Sequence, residues 1–173
     1  MLVGRKVVLR PLGVQDLPSR LAMINDPQVQ AMTLGLQVDP TTAEDLASWL
    51  ELVTSDPYRE QWAIETTAGI YIGDIDFHSI NVVPGEAWMA LMIGDEHYLE
   101  NVVYRREAVT LLVAYALRSK GIQRLLVDIP DADQVGIEIL LELGFEKIEE
   151  IEVDLFTGAK MVTFELVSDN YRG

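Results

Sequence analysis

The chain has 173 residues, 49% hydrophobic and 24% charged, which are the proportions of a globular domain and not of a disordered segment. Its 13 basic and 28 acidic residues give a formal charge of −15, which disfavours nucleic-acid and anionic membrane partners and suits a cationic one, although solubility alone also explains it. The absence of cysteine excludes disulfides, thiolate metal sites and a cysteine nucleophile, and two histidines exclude a histidine-rich metal site. With no membrane-spanning run or signal peptide in the pattern, we predict a single cytoplasmic domain over residues 1–173.

The first third of the chain is predicted to contain one strand and two helices. Residues 5–10 form a short strand. Asp16 is expected to cap a helix that runs to about Asn25, where a proline stops it. Residues 28–40 are predicted to be a long connection. The segment Thr41-Thr42-Ala43-Glu44 then matches a capping box, and apolar residues recur behind it at helical spacing.

The rest of the chain alternates between strands and helices and ends in a hairpin. A turn at Thr67-Ala68-Gly69 separates the first two strands, Gly121 closes a long helix, Asp133 caps the next helix, and the final hairpin turns at Thr157-Gly158. The element order is therefore β-α-α-β-β-β-α-β-α-β-β, which predicts an α/β fold with a mixed sheet and helices on its faces. The predicted ranges are 61–67, 69–79, 86–93 and 124–129 for strands, 104–120 for the long helix and 151–166 for the hairpin.

Six segments in one consistent order carry a resemblance to a known family. They are Gly4–Leu12 with Asp16-Leu17, Asn25–Val29, Tyr71–His78, Met92–Tyr98, Glu107–Leu112 and Ile139–Phe145. Together they resemble the GNAT superfamily of N-acetyltransferases, in particular its ribosomal-protein alanine acetyltransferase branch. The resemblance spans nearly the whole chain. It implies a GNAT acyl-CoA N-acyltransferase fold and transfer of an acetyl group from acetyl-CoA to a primary amine of a small molecule or a protein N-terminus.

The resemblance also implies where acetyl-CoA would bind. In the family, pantetheine pairs with the end of the fourth strand, and the diphosphate lies on backbone N–H groups of the loop and helix start that follow. An asparagine that caps the late helix also contacts the coenzyme, and Asp133 stands at its position. The corresponding coenzyme-binding residues of this chain are Leu91, Met92, Ile93, Asn101, Val102, Val103, Tyr104, Arg105, Arg106 and Asp133.

This chain departs from the family pattern at the coenzyme loop. The three small-residue positions of the family fall on Asn101, Val103 and Arg105, so side chains stand where the backbone is expected to approach phosphate. Glu100 adds negative charge to the same loop. Arg105 and Arg106 offer side-chain donors to phosphate in place of backbone ones, or are ordinary residues of the first helical turn. The loop therefore predicts a degenerate or an altered coenzyme site.

The catalytic groups are less well defined by the sequence. Many relatives carry a tyrosine that protonates the leaving thiolate, and its position here is Leu140, with Tyr98 and Tyr104 as candidate replacements. Glu86 and His78 are the candidate bases, because a carboxylate or a neutral imidazole can take the proton of an amine. Each also has a non-catalytic interpretation. Glu86 can be an ordinary solvated carboxylate, and His78 a hydrogen-bonded structural histidine.

Three functional interpretations follow from the resemblance and its departures. The first is an acetyl-CoA-dependent N-acetyltransferase. The second is a catalytically inactive GNAT-fold binding module that has lost coenzyme A. The third is an acyltransferase that binds the phosphates of its acyl donor through the side chains of Arg105 and Arg106 instead of loop amides. An exposed strand edge is compatible with a homodimer in each case.

Overall fold

One mixed sheet organises the molecule. The structure is a computed structural model that describes residues 1–33, 39–94, 98, 101–151 and 160–173. In these residues the strands are β1 (Leu2–Val3), β2 (Val7–Pro11), β3 (Glu60–Thr66), β4 (Tyr71–His78), β5 (Glu86–Ile93), β6 (Arg124–Pro130), β7 (Glu146–Ile151) and β8 (Met161–Val167). Their order across the sheet is β1-β2-β3-β4-β5-β6-β8-β7. The helices are α1 (Leu17–Ile24), α2 (Pro27–Thr33), α3 (Ala43–Ser55), α4 (Val102–Ser119) and α5 (Gln134–Leu143).

Helices cover both faces of the sheet, as the element order predicts. On one face, Leu112 of α4 and Ile139 of α5 belong to the large core that also contains Met89 and Leu125 of the central strands. On the other face, Leu50 and other apolar residues of α3 pack against Ala63 and its neighbours in a smaller cluster. The predicted α/β mixed-sheet fold is confirmed. No helix within the described ranges is long and apolar enough to cross a membrane.

The segment after α1 is helical where a connection was expected. Pro27 begins α2 instead of ending the helical region. The Asp26 carboxylate accepts the N–H of Gln28 at 2.7 Å, so the chain restarts a helix there with its own cap. Proline suits the first helical position because that N–H has no partner within a helix. Residues 34–38 of the expected connection lie outside the described residues.

Two predicted helix caps are shifted. The Asp16 carboxylate does not cap α1; it binds the Arg10 guanidinium at 2.7 and 2.8 Å and the N–H of Gly13 at 3.0 Å. The capping box of α3 lies one residue later than the sequence pattern indicates. Thr42 accepts the N–H of Asp45 at 3.1 Å, and the Asp45 carboxylate accepts the N–H of Thr42 at 3.1 Å. The causes differ: the Arg10 guanidinium binds the carboxylate expected to cap α1, whereas at α3 two adjacent threonines can cap and the second one does.

The C-terminal half follows its prediction closely. Asp133 caps α5 by accepting the N–H of Gly136 at 3.0 Å. Gly144 ends this helix at φ +98°, the left-handed region in which glycine has no steric penalty. β7 and β8 pair antiparallel, but β7 begins at Glu146, five residues before the predicted start of the hairpin at residue 151, and residues 152–155 of its predicted first arm lie outside the described residues. The expected turn at Thr157-Gly158 lies outside the described residues.

The sheet separates at its centre, and this separation positions the functional site. β5 and β6 are the parallel neighbours, and they pair only from Glu86 with Arg124 to Trp88 with Leu126. β5 nevertheless continues to Ile93 and β6 to Pro130. Beyond Trp88, the edge of β5 that faces β6 therefore has no strand partner among the described residues, and the two strands leave a gap between them.

Candidate functional site

A cleft occupies the gap between β5 and β6. Its empty volume is about 670 Å³ including the open mouth. Alternate side chains of β5, namely Met89, Leu91 and Ile93, form one wall, because successive residues of a strand point to opposite faces. Residues of α4 and α5 form the floor. The remaining lining residues are Arg105, Val109, Val127, Asp128, Ile129, Pro130, Asp133, Gly136, Ile139 and Leu140.

An ion pair crosses the cleft where the first turns of α4 and α5 meet. Nη1 of Arg105 donates to Oδ1 of Asp133 at 2.8 Å, and Nη2 of Arg105 donates to Oδ2 of the same carboxylate. Arg105 is buried, with 8% of its surface exposed. Oδ1 of Asp133 also accepts the N–H of Gly136. We call the contact between Arg105 and Asp133 the cleft ion pair.

Gly136 leaves room for the cleft ion pair. A Cβ atom at position 136 would collide with Nη2 of Arg105, and it would lie 2.7 Å from Oδ2 of Asp133. Any residue larger than glycine would therefore displace the guanidinium or the carboxylate. Arg105, Asp133 and Gly136 thus form one packed unit, built from two helices, at one polar end of the cleft.

Asp128 is an exposed residue of the cleft lining, and its side chain points to the same sheet face as Trp88 and His78, opposite that of Met89. It lies in β6 just beyond the last pair with β5, between the buried residues Val127 and Ile129. The hydroxyl of Thr163 donates to Oδ1 of Asp128 at 2.6 Å from the neighbouring strand β8. Thr163 is buried, so this hydrogen bond fixes the carboxylate at the point where the two strands diverge.

The face of β4 opposite α4 carries a second polar group. Asp76 is buried, and it binds Arg59 at 3.2 Å and Nδ1 of His78 at 3.2 Å. The imidazole stacks on Trp88, with ring centroids 6.5 Å apart. Because Nδ1 is engaged by Asp76, the ring nitrogen Nε2 is the one directed away from this carboxylate.

A buried carboxylate ties α1 to the sheet next to this group. Asp74 accepts Nε of Arg20 at 2.8 Å, the hydroxyl of Tyr71 at 3.0 Å and the side-chain amide of Gln61 at 2.8 Å. Arg20 in turn lies 3.8 Å from the ring centroid of Trp49 in α3. Burial raises the pKa of Asp74, and the charge of Arg20 opposes that rise. This network holds α1 and α3 against β4.

The structure brings together four of the residues predicted to bind coenzyme. Leu91, Ile93, Arg105 and Asp133 all line the cleft. Met92 pairs with Asp74 of β4, and its side chain points to the opposite face.

The other predicted coenzyme residues lie at the start of α4 but outside the cleft lining. The side chain of Asn101 caps α4 by accepting the N–H of Val103, while Val103 itself is exposed. Val102 and Tyr104 pack against the large core, and Tyr104 meets the ring of Tyr98 edge-on with centroids 5.0 Å apart. The guanidinium of Arg106 binds Glu142 at 2.7 Å on the surface. Glu100 lies outside the described residues.

The two predicted bases also lie outside the lining of the cleft. Glu86 precedes the gap and accepts Nη1 of Arg124 at 2.7 Å. Arg124 also donates a hydrogen bond to Glu165. Both hydrogen bonds raise the pKa of its guanidinium, and the one to Glu165 has the larger effect. His78 lies on the opposite face of the sheet, as described above. Leu140, at the position of the family tyrosine, is buried and lines the cleft.

Sequence reasoning missed Asp128. The available signal is a single charged residue inside the apolar run of β6, between Val127 and Ile129. A strand covered on both faces has no place for a carboxylate, so this residue marks a point where the sheet opens.

The residues present fit the arm of a coenzyme better than its diphosphate. The unpaired edge of β5 from Met89 to Ile93 can hydrogen-bond an extended amide chain, and the apolar walls suit its methylene groups. The polar end of the cleft holds a guanidinium suited to phosphate, but Asp133 already binds it.

A sequence profile shows the family of this chain, and solved structures share its fold. The profile described as "Acetyltransferase (GNAT) domain" matches residues 6–146. The spermidine N-acetyltransferase from Vibrio cholerae, in complex with CoA and spermine, superposes with a TM-score of 0.84 at 14% identity, over 97% of this chain and 99% of that one. A GNAT-family acetyltransferase from Bacillus anthracis gives 0.80 at 12% identity, over 97% and 98% of the two chains. No curated protein matches this sequence.

Proposed function

Because this chain belongs to the GNAT acetyltransferase family, we propose that it transfers an acetyl group from acetyl-CoA to a cationic primary amine. The observation that carries the proposal is the cleft between β5 and β6, with its unpaired strand edge and a carboxylate at the point of divergence. When bound, acetyl-CoA supplies a thioester carbonyl to which an amine can add. The residues of the chain must then orient the donor and remove a proton from the amine.

The donor is proposed to lie along β5. Within the part of the chain that the structure describes, backbone groups of residues 89–93 on the side of β6 have no strand partner, and we propose that they pair with the pantetheine amides. The walls formed by Met89, Leu91 and Ile93 exclude water from the thioester end. A backbone N–H at the start of this unpaired stretch is placed to polarise a carbonyl, a role that needs no particular side chain.

Asp128 is proposed to receive the acceptor. An amine enters as an ammonium ion, which cannot attack a carbonyl until it loses a proton. Asp128 lines the cleft where β5 and β6 part, and we propose that its carboxylate attracts the cation and accepts its proton from the side of the sheet that carries Trp88 and His78. The new C–N bond then forms as the C–S bond breaks, the leaving thiolate takes the proton that the acylated nitrogen loses, and Asp128 returns its own proton to solvent. Thr163 holds the carboxylate in place through its hydroxyl.

The charge of the chain supports a cationic acceptor. A formal charge of −15 attracts amines and polyamines from solution. The structurally similar enzyme from Vibrio cholerae binds spermine. We therefore propose a polyamine or a similar cationic amine as the acceptor of this chain.

The alternative is a binding module that does not use coenzyme A. It is favoured by one observation, the cleft ion pair, which engages the guanidinium expected to meet the diphosphate.

The test is acetyl transfer by the purified protein. Acetyl-CoA is incubated with spermidine, spermine, a monoamine and a peptide with a free N-terminus, and both thiol release and the acetylated product are measured. We expect thiol release that depends on the amine and on the protein. If no amine is acetylated while acetyl-CoA remains intact, the acetyltransferase proposal is rejected in favour of the binding module.

A further inference from the structure

Two independent departures from the family pattern meet in one contact. Arg105 replaces a small residue of the coenzyme loop, and Asp133 replaces the asparagine that caps the late helix. In the structure these residues form the cleft ion pair, with two hydrogen bonds between one guanidinium and one carboxylate. Gly136 provides the space that both groups need. The two changes therefore act together and are not separate losses.

We propose that the cleft ion pair is an exchange latch for the acyl donor, in which Asp133 holds Arg105 at rest and releases it to the coenzyme diphosphate. This inference rests on the proposed use of acetyl-CoA. Phosphate oxygens and a carboxylate present similar acceptor pairs to a guanidinium, so Arg105 can exchange one for the other. Asp133 then acts as an internal competitor that sets the affinity for the donor.

The geometry limits the exchange to these two residues. Arg105 lines the cleft and is buried, so its guanidinium can exchange Asp133 only for a ligand that occupies the cleft. Arg106, the neighbouring cation of α4, pairs with Glu142 outside the cleft, and 45% of its side chain is exposed. An exposed pair of this kind is weak and screened by water.

Opening the latch carries a cost that Asp133 imposes. When Arg105 turns to phosphate, the Asp133 carboxylate remains close to an anionic ligand without its partner. Its hydrogen bond from the N–H of Gly136 survives, because that bond belongs to the helix cap. Asparagine at this position would keep the cap, remove the charge and free Arg105. Donor affinity is therefore predicted to rise when Asp133 loses its charge.

The experiment measures dissociation constants by calorimetry for coenzyme A, for ADP and for pantetheine, which lacks a diphosphate. Asp133→Asn is compared with wild type, and Glu142→Gln is the matched control, because it removes one carboxylate charge from the same helix outside the cleft. The double variant Arg105→Gln/Asp133→Asn removes both charges of the cleft ion pair, so neither is left without its partner. Thermal unfolding of each protein without ligand verifies that it is folded.

We expect Asp133→Asn to bind coenzyme A and ADP at least about tenfold more tightly than wild type, as removal of one charge at contact distance predicts. Pantetheine affinity should be unchanged, Glu142→Gln should resemble wild type, and the double variant should lose the gain. The latch is overturned by an unchanged or weaker affinity in Asp133→Asn, by an equal gain in Glu142→Gln, or by a gain that persists without Arg105. Absence of coenzyme binding in every protein also overturns it.

The outcome separates this inference from the proposed function. A gain in diphosphate affinity without acetylation of any amine would leave the latch standing and reject the acetyltransferase. Acetylation of an amine, together with an unchanged coenzyme affinity in Asp133→Asn, would support the acetyltransferase and reject the latch.

Discussion

Asp128 is the residue on which the proposed chemistry depends. It combines exposure, a place in the wall of the cleft and a fixed orientation from Thr163. By contrast, Glu86 is bound by Arg124, and His78 is held by Asp76 and is not among the residues that line the cleft. A carboxylate that is free to meet an amine is a better proton acceptor than one held in an ion pair.

Replacing Asp128 by Asn should abolish most of the activity without loss of fold. We expect kcat/KM for the amine to fall by about 10²-fold or more, because removal of a general base costs roughly that factor. Coenzyme affinity should stay constant. The matched control is Asp131→Asn, which removes a carboxylate that pairs with Lys160 beyond the end of β6. Equal rates for the two variants would show that Asp128 has no part in proton transfer.

Glu107 has a structural part at the other end of the molecule. Its carboxylate accepts three backbone N–H groups, from Arg5 at 2.7 Å, Lys6 at 2.6 Å and Val7 at 2.8 Å. These hydrogen bonds connect the N-terminal segment to α4. Burial opposes ionisation, but the three hydrogen bonds outweigh it and hold the pKa of Glu107 below its ordinary value of 4.5.

Glu107→Gln should lower the free energy of unfolding by about 2 kcal/mol near neutral pH, since a neutral amide oxygen replaces a charged acceptor. A lowered folded-state pKa gives stability that is present above the unfolded pKa and is lost as the pH falls through the folded value. The difference between variant and wild type should therefore shrink as the pH falls below about 4.5. Urea unfolding at neutral and acid pH measures this, with Glu51→Gln on the exposed side of α3 as control. A difference that does not change with pH would contradict the role given to the charge.

At the scale of an element, the start of α3 distinguishes the observed cap from the one that the sequence pattern predicts. Thr42→Ala should destabilise the protein by about 1 kcal/mol, because it removes the side chain that accepts the N–H of Asp45. Thr41→Ala should have little effect, since Thr41 contacts Asn25 through its backbone. Thermal or urea unfolding of the two variants decides between them. A larger loss in Thr41→Ala would restore the register predicted from the sequence.

The elements with strong periodicity were predictable, and those defined by tertiary contacts were not. β5 was predicted at its observed bounds, because its apolar run is flanked by turn residues. α2 was missed, because Pro27 is both a helix stop and a favourable first helical residue. The choice between these roles depends on the Asp26 cap, which the sequence pattern alone does not resolve.

The candidate site was predictable in its location but not in its contacts. The family resemblance placed Arg105 and Asp133 near one ligand, and both line the cleft. Their mutual ion pair joins residues 28 positions apart, a pairing that no local pattern encodes. Asp128 escaped notice because an isolated carboxylate in a strand has meaning only once the end of the β5–β6 pairing is known.

At the scale of the whole molecule, the charge of −15 should act oppositely on the two substrates. A negative field attracts a polyamine and repels coenzyme A, and salt screens both effects. Raising the ionic strength from about 0.02 M to about 0.5 M, which shortens the screening distance several-fold, should raise KM for spermidine and tighten coenzyme binding. A monoamine acceptor should show a smaller change in KM. Parallel changes for both substrates would indicate that the field does not guide either of them.

The separation of β5 from β6 is the feature on which the account rests, and acetyl-CoA binding tests it most directly. The measurement is calorimetric titration of acetyl-CoA into wild type and into Leu91→Trp, which places a larger side chain in the cleft. Ala90→Leu is the control, because residue 90 is exposed on the opposite face of the same strand. We predict binding by wild type and by the control, and at least about tenfold weaker binding by Leu91→Trp with unchanged thermal stability. No binding by wild type, or equal affinity for all three proteins, would contradict the assignment of the cleft as the donor site.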